Sequence, residues 1–348
     1  MITSMVKSAF VPASDGHAPH FAIVMPAYNA ALTVAQSIES VLAQTWQDWE
    51  LVIVDDGSGD DTYAVACAAA ENDSRIRVYR QANRGPGPAR GAAADATTAP
   101  YLCRLDADDL YYPEYLETFA AFMGEHPGYD IYSCNADSLS PDGSRGLVRP
   151  AAEGGDGPRS WILEEMLQDN MIFSMAVMTR DIYAKVGGFR EGVDVEDYDF
   201  WLRAMVRGAR HIYNPAVLGL YRLHPRQMTA NPMLLESQVS VMYEMVRNRS
   251  LTDRERDVAR ESLGRSAAYL GVLRRWNLDT RLRRRETACA RRDFWAARRG
   301  YHNPFKFVAA GAVMLLSPHL YTRLFLGGSP ESGGPVAESR DVGADRPK

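Results

Sequence analysis

Apolar runs and amphipathic segments alternate along the first part of the chain. A short apolar strand is predicted over 21–26, and the segment 32–44 places its apolar residues at helical spacing. Further strands are predicted over 50–54 and 75–79, with an alanine-rich helix over 62–70 between them. Strands and helices that alternate in this order form a mainly parallel sheet flanked by helices, so the pattern predicts an α/β fold.

The alternation continues through the rest of the chain, with an interruption rich in Gly, Pro and Asp over 138–159. We interpret that interruption as a mobile surface loop and not as a boundary between folding units. The further predicted elements are a strand from residue 101, helices over 113–123 and 181–189, strands over 129–136, 171–179 and 211–223, an amphipathic helix from residue 195, and helices over 233–247 and 253–274.

The strand that begins at Tyr101 ends abruptly in three carboxylates, Asp106, Asp108 and Asp109. Carboxylates about 6 Å apart repel each other by roughly 1–3 kcal/mol at an effective dielectric constant of about 20, so the cluster needs open water or a counter-charge. A solvated turn is the commoner explanation of an isolated D-x-D sequence. A bound divalent cation is the alternative explanation, and only other motifs in the chain can distinguish it from a solvated turn.

Two other predicted strands end in residues that suit a ligand. Tyr28 follows the first strand, and Asp55 and Asp56 follow the second. The carboxyl ends of parallel strands meet at one edge of a sheet, where ligands bind in folds of this class. Because the Asp106 cluster also follows a strand, the sequence predicts that all these residues converge on one binding site.

Three further stretches have both a structural and a functional explanation. The segment 83–91 contains the G-x-G pattern of a dinucleotide-binding loop, but Pro86 and Pro88 lack the backbone N–H groups that such a loop uses to bind phosphate. Arg90 in the same segment is either a cation at the binding site or a surface residue. Asp197 begins a helix, where the helix dipole alone favours acids, yet it shares a face with Trp201 as in a sugar site. His224 after the last strand is, taken alone, more often packed than a ligand.

Composition excludes several classes of protein. With 348 residues, 46% of them hydrophobic and 24% charged, the chain is globular and long enough for one large α/β domain with extra elements. A net charge of -5 argues against nucleic-acid binding, although the segment 271–300 is rich in Arg. The four scattered cysteines suit a reducing compartment, and no secretory signal is visible, so we expect a cytoplasmic catalytic body.

Five motifs occur in one order over residues 22–229, about two thirds of the chain. Together they resemble a family 2 glycosyltransferase of the GT-A fold, a group of inverting enzymes that use nucleotide sugars. The motifs are Met25-Pro-Ala-Tyr-Asn29, Val54-Asp-Asp-Gly-Ser58, Leu105-Asp-Ala-Asp-Asp109, Glu196-Asp197 leading into Trp201-Leu-Arg203, and Tyr221-Arg-Leu-His224.

The resemblance implies a role for each matching position. Nucleotide-sugar binding falls to Pro26, Tyr28, Asp55, Asp56, Arg90 and Asp106; metal binding falls to Asp108 and His224, with Asp109 able to share it; and catalysis falls to Asp197 as base with Glu196 beside it. Trp201 is placed on the acceptor side. The implied cofactor is Mg²⁺ or Mn²⁺, which suits carboxylate ligands and would neutralise a departing diphosphate.

The implied reaction is inverting transfer of a sugar from a nucleoside diphosphate, most readily a UDP-sugar, to a hydroxyl of a glycan or lipid-linked acceptor. Two alternatives stay open at this stage. A sugar-1-phosphate nucleotidylyltransferase also has an α/β nucleotide site, but it would require a glycine-rich phosphate loop at the position where this chain has Pro26-Ala-Tyr-Asn29. A non-catalytic nucleotide-sugar-binding scaffold would have no need of Asp106, Asp108, Asp197 and His224 together.

The predicted domain organisation is a disordered start (1–20), a GT-A domain (21–230), a helical C-terminal region (231–326) and a disordered tail (327–348). The apolar segment 305–316 is shorter than the roughly 20 residues that span a bilayer. Together with the Arg-rich segment before it, this segment suits peripheral anchoring on the cytoplasmic face of an anionic inner membrane. Packing of the same helix on the domain is the alternative.

Overall fold

A computed structural model describes residues 6–7, 20–149, 157–224 and 234–267. The chain divides into two compact units after Leu263, and the description below concerns the first. The Arg-rich segment 271–300, the apolar segment 305–316 and the tail 327–348 lie outside the described residues. Inside the predicted disordered start, Val6–Lys7 forms a short strand that pairs with the strand Ile76–Arg80.

Most predicted elements are present with small shifts at their ends. The helices are α1 (Val34–Leu42), α2 (Thr62–Asn72), α3 (Pro86–Asp95), α4 (Tyr115–Glu125), α5 (Leu163–Gln168), α6 (Arg180–Val186), α7 (Glu196–Val206) and α8 (Leu234–Arg247), with further helix over 253–267. The strands are β1 (Val6–Lys7), β2 (Phe21–Ala27), β3 (Trp49–Asp55), β4 (Ile76–Arg80), β5 (Tyr101–Arg104), β6 (Leu110–Tyr111), β7 (Ile131–Leu139), β8 (Arg145–Leu147), β9 (Ala176–Thr179) and β10 (His211–Arg222).

Ten strands of the described residues form one sheet in the order β1-β4-β3-β2-β5-β9-β7-β10-β6, with β8 beside β7. The sheet is mixed and not purely parallel, because antiparallel strands are added to the expected parallel ones. Short β9 lies antiparallel between β5 and β7, and β1, β6 and β8 are also antiparallel to their neighbours. The six remaining strands all run in one direction, so their carboxyl ends still share one edge of the sheet.

Side chains that alternate along β2 enter two different cores. Ala22 and Val24 pack on the face that carries α3 and α7, and Phe21, Ile23 and Met25 pack on the face that carries α1 and α4. Every residue of β2 is buried, as is typical of a strand that has helices on both faces. The sheet is therefore the middle layer of a three-layer sandwich.

The sheet opens between β2 and β5 at its carboxyl edge. Their pairing ends at Val24 and Arg104, while β2 continues through Pro26 to Ala27 along β3. Pro26 therefore does not stop the strand; it lies where no β5 partner requires its missing N–H.

Helix ends near the site follow local sequence signals. The Thr179 hydroxyl accepts a hydrogen bond from the Ile182 N–H and caps the start of α6, which ends at Gly187 in the left-handed conformation with φ of 84°. This confirms the predicted short helix closed by glycine. Among the described residues, no helix is both long enough and apolar enough to cross a membrane.

Candidate active site

The loops after β2 and β3 are tied together by hydrogen bonds. The Asn29 N–H donates to Ser58 Oγ at 2.9 Å, and the Gly59 N–H donates to Asn29 Oδ1 at the same distance. Asn29 adopts a positive φ of 50°, which this residue type tolerates better than most. The fixed turn leaves the Tyr28 ring 54% exposed at the carboxyl edge of the sheet.

The two acids after β3 are buried, and each holds part of the local backbone or a neighbouring cation. Asp55 Oδ2 lies 3.0 Å from Arg80 Nε, while its Oδ1 has no hydrogen-bond partner among the described residues. Asp56 accepts hydrogen bonds from the Arg84 and Gly85 N–H groups at 3.0 and 2.8 Å. Asp56 therefore shapes the loop that begins α3, the helix that carries Arg90.

Arg90 is not a surface cation, because only 2% of its side chain is exposed. Its Nη2 lies 2.7 Å from Asp106 Oδ1 and 3.1 Å from Glu196 Oε1. Desolvation by itself would raise the pKa of Asp106, but the charges on Arg90 and Arg104 outweigh it and lower that pKa. Arg90 thus keeps Asp106 ionised and links it to the start of α7.

A second buried cation, Arg104 on β5, belongs to the same cluster and is absent from the predicted site. Its Nη2 lies 3.3 Å from Glu196 Oε1 and its Nη1 lies 3.7 Å from Asp197 Oδ2. Burial raises the pKa of Glu196, although Arg90 and Arg104 oppose that shift. The sequence signal was a charged residue inside an apolar strand, two positions before Asp106 and therefore on the same face.

Two predicted roles change with this geometry. Trp201 is fully buried and packs against the Arg104 guanidinium at 5.4 Å, so its ring is not an exposed wall for an acceptor. Glu196 is 6% exposed and faces the two arginines. Its carboxylate therefore belongs to the buried ion cluster and does not line the opening.

Asp197 and Asp106 line the same cleft, which has a volume of about 370 Å³. The Asp197 side chain is 23% exposed, and its Oδ2 accepts a hydrogen bond from Asn170 Nδ2 at 3.4 Å. A carboxylate in this setting is accessible from the cleft, and its Oδ1 accepts a hydrogen bond from the Tyr198 N–H at 2.6 Å. Such a group can accept a proton from a bound hydroxyl.

Asp108 and His224 meet although 116 positions separate them, with His224 Nε2 2.9 Å from Asp108 Oδ2. Both side chains are about one third exposed. Desolvation and the nearby Asp106 charge raise the pKa of Asp108, so a cation at this point would relieve the repulsion between the carboxylates. The carboxylate is a suitable ligand for Mn²⁺ or Mg²⁺, whereas an imidazole is a more usual ligand of softer divalent ions.

Asp109 differs from its neighbours because it is completely buried. Its Oδ1 accepts a hydrogen bond from the Arg222 N–H at 3.0 Å, which holds the end of β10 two residues before His224. In the described residues no group of three or more His, Cys, Asp or Glu side chains has the arrangement of a metal site. The geometry thus brings Asp108 and His224 together and turns Asp109 inward.

The family model for glycosyl transferase family 2 matches residues 22–187. This part of the chain is a family 2 glycosyltransferase domain. The match contains Tyr28, Asp56 and the Asp106 cluster, whereas Asp197 and His224 lie beyond its end. The expected family resemblance is thereby confirmed over residues 22–187.

Named relatives resemble this family 2 domain. EpsE of Bacillus subtilis, a putative glycosyltransferase, is 29% identical over 198 residues, which are 55% of this chain and 69% of EpsE. A PGL/p-HBAD biosynthesis glycosyltransferase of Mycobacterium bovis is 38% identical over 116 residues, 33% of this chain and 45% of the relative. YibD of Escherichia coli, an uncharacterized glycosyltransferase, is 36% identical over 115 residues, and the chain spans only 33% of its length.

Solved structures confirm the GT-A fold of the family 2 domain. S. aureus TarS 1-349, crystallised with UDP-GlcNAc, superposes with a TM-score of 0.60 at 21% identity, covering 70% of this chain and 72% of TarS. The mannosyltransferase PcManGT from Pyrobaculum calidifontis, in complex with GDP-Man and Mn²⁺, gives 0.57 at 18% identity over 88% of this chain and 84% of PcManGT.

Proposed function

We propose that this protein transfers a sugar from a nucleoside-diphosphate sugar to a hydroxyl of a glycan or lipid-linked acceptor, with inversion. The observation that carries the proposal is that Asp106, which follows β5, and Asp197, at the start of α7, line one cleft. The family 2 match and the nucleotide-sugar complexes of TarS and PcManGT support this class of donor. Nucleotidylyl transfer, the alternative enzyme, has no comparable support.

In the proposed reaction Asp197 is the base. The acceptor hydroxyl oxygen attacks the anomeric carbon as the bond from that carbon to the diphosphate oxygen breaks, and Asp197 accepts the hydroxyl proton. The nucleoside diphosphate leaves with the electrons of the broken bond, and Asp197 ends as a neutral acid. One in-line displacement of this kind inverts the anomeric configuration.

The nucleotide side of the proposed site is formed by the loops after β2 and β3. The exposed Tyr28 ring provides a surface on which a base can stack, beside the buried Asp55 and Asp56. Asp106 lies where the strands separate and would meet the ribose. Pro26 contributes through its backbone position at the gap between β2 and β5.

Asp108 and His224 fit a divalent cation, because they are adjacent, partly exposed and close to surplus negative charge. When bound, Mg²⁺ or Mn²⁺ would act as a Lewis acid that neutralises the charge of the departing diphosphate. Asp109 would support the site indirectly, by holding the backbone before His224.

The first test is thermal shift of the full chain with UDP, GDP, dTDP and CMP, each with Mn²⁺ and then with excess chelator. We expect one diphosphate to stabilise the protein only when metal is present. Asp197→Asn should keep that stabilisation and lose transfer of the sugar by several orders of magnitude, because the amide cannot accept the proton. Stabilisation by no nucleotide, or full turnover by Asp197→Asn, would contradict the proposal.

The proposed location is the cytoplasmic face of the inner membrane, with a lipid-linked or growing surface glycan as acceptor. The support is the Arg-rich segment 271–300 followed by the apolar segment 305–316. Basic residues beside a short apolar helix favour an anionic surface without spanning it.

A further inference from the structure

The cleft that contains Asp106 and Asp197 has a second wall that the proposed chemistry does not use. This wall is the segment 169–174 before β9, which provides half of the lining, and across the cleft lie residues of β10 and of the chain after β8. We infer that this wall is a subsite for a neutral hexopyranoside acceptor, recognised by Asn170 and Ser174. The inference rests on the proposed function and assigns its acceptor side.

Hydrogen bonds hold the backbone of the wall in place. Arg149 Nη2 donates to the Asn170 carbonyl at 3.3 Å and also to the Met171 carbonyl. The Asn135 side chain fixes the Arg149 backbone on both sides, donating to its carbonyl at 2.9 Å and accepting from its N–H at 3.1 Å. A preformed wall of this kind loses little conformational entropy when a ligand binds.

Two buried polar atoms of the wall are left without partners. Within residues 20–149, 157–224 and 234–267, neither Asn170 Oδ1 nor Ser174 Oγ makes a hydrogen bond. The contact of Asn170 Nδ2 with the Asp197 carboxylate requires the amide nitrogen to face Asp197, which leaves Oδ1 as an acceptor. Buried polar groups are nearly always paired in proteins, and a ligand hydroxyl in the cleft would supply the missing partner once either side chain turns towards it.

An apolar surface lies beside these atoms. The rings of Phe173 and Tyr221 meet edge to face with centroids 5.0 Å apart, and Val148 belongs to the same lining, whereas Ile172 is fully buried. A pyranose ring has hydroxyls around its rim and C–H groups on its faces, which matches this combination of acceptors and apolar contacts. Because Asn170 also contacts Asp197, a sugar bound here would place a hydroxyl near the base.

The charge of the lining selects a neutral sugar. Three carboxylates, Asp106, Asp169 and Asp197, line the cleft with one guanidinium, Arg149. Arg90 and Arg104 pair with Asp106, Asp197 and the neighbouring Glu196, so four carboxylates stand against three guanidiniums and one negative charge is in excess. Two of the hydrogen bonds of the Arg149 guanidinium already go to backbone carbonyls of the wall. A uronate or a phosphorylated sugar would therefore meet net negative charge, which disfavours it at this point.

The test measures binding of methyl hexopyranosides to the full chain by saturation-transfer difference NMR, in the presence of Mn²⁺ and the nucleoside diphosphate. Methyl glucuronide is the anionic probe. We expect at least one neutral glycoside to bind, and Asn170→Ala and Ser174→Ala each to weaken it by about five- to tenfold through loss of one hydrogen bond. Ser250→Ala, an exposed serine far along the chain, is the matched control and should bind as wild type.

The thermal shift by the diphosphate shows that each variant is folded. Glucuronide binding as strong as that of the neutral sugars, or wild-type binding by both Asn170→Ala and Ser174→Ala, would overturn the inference. Nucleotide binding without binding of any neutral glycoside would overturn it while leaving the proposed function intact. Glycoside binding sensitive to both variants, with no nucleotide binding, would support the subsite and contradict the proposed function.

Discussion

A buried histidine makes the stability of this domain depend on pH in a way that the structure quantifies. His211, the first residue of β10, is 1% exposed. Its Nδ1 lies 3.2 Å from the Trp161 N–H, which can only donate, so Nδ1 carries no proton and Nε2 donates to Ser133 Oγ at 2.8 Å. Burial, together with the Arg149 charge, lowers the pKa of His211 to about 3.

The sign of the effect follows from the lowered pKa. Above pH 6.5 the imidazole is neutral in both the folded and the unfolded chain, so His211 adds no pH dependence. As the pH falls below that value the unfolded chain binds a proton that the folded chain does not. The free energy of unfolding then decreases by about 1.4 kcal/mol per pH unit, or roughly 2 kcal/mol at pH 5, and the decrease continues towards pH 3.

The assay is urea unfolding followed by tryptophan fluorescence at about pH 7.5 and about pH 5 for wild type and His211→Asn. The Asn carboxamide can accept the Trp161 N–H but cannot titrate. We expect the variant to be less stable at the higher pH and to lose about 2 kcal/mol less than wild type on acidification. Ser133→Ala, which keeps the imidazole, should retain the wild-type slope. Equal losses in wild type and His211→Asn would refute the reasoning.

Three other changes have defined outcomes. Asp109→Asn should keep metal-dependent nucleotide binding, because the amide oxygen can still accept the hydrogen bond from the backbone before His224. Asp108→Asn should lose metal-dependent nucleotide binding, and a thermal-shift assay with Mn²⁺ distinguishes the two variants. Gly219→Ala should lower the free energy of unfolding by about 1–3 kcal/mol in urea denaturation, because its Cβ would lie 2.6 Å from the Leu110 carbonyl oxygen. A chain truncated before residue 271 should bind anionic vesicles less than the full chain in a sedimentation assay, and equal partition would remove the membrane proposal.

Elements with strong periodicity could be predicted from the sequence, and the sheet topology could not. The order β-α-β-α-β up to residue 80 and the helix α7 are confirmed because alternation of apolar runs reports burial directly. The antiparallel insertion of β9 was missed because a four-residue strand buried on both faces has the same apolar composition in either direction. Strand direction depends on long-range pairing, which local patterns do not encode.

The site shows the same division between local and long-range information. Strand exits placed Tyr28, Asp56 and the Asp106 cluster at one edge of the sheet, since parallel strands end at one edge, and their convergence on one ligand stays a prediction. The burial of Trp201 was missed because a helical face shared with Asp197 does not say which neighbours cover it. Arg104 was missed because its partners, Glu196 and Asp197, lie on α7, and only the tertiary structure brings α7 next to β5.

The buried ion cluster explains how two distant parts of the chain reach one cleft. Arg90 and Arg104 join Asp106 on one side to Glu196 and Asp197 on the other, so the two arginines neutralise most of the charge of three carboxylates. Removing one member of such a cluster leaves a buried charge unpaired, which costs about 3–5 kcal/mol. That cost couples the position of Asp197 to that of Asp106, so the geometry of the cleft is maintained by the same interactions that stabilise the packing of α3 and α7 against the sheet.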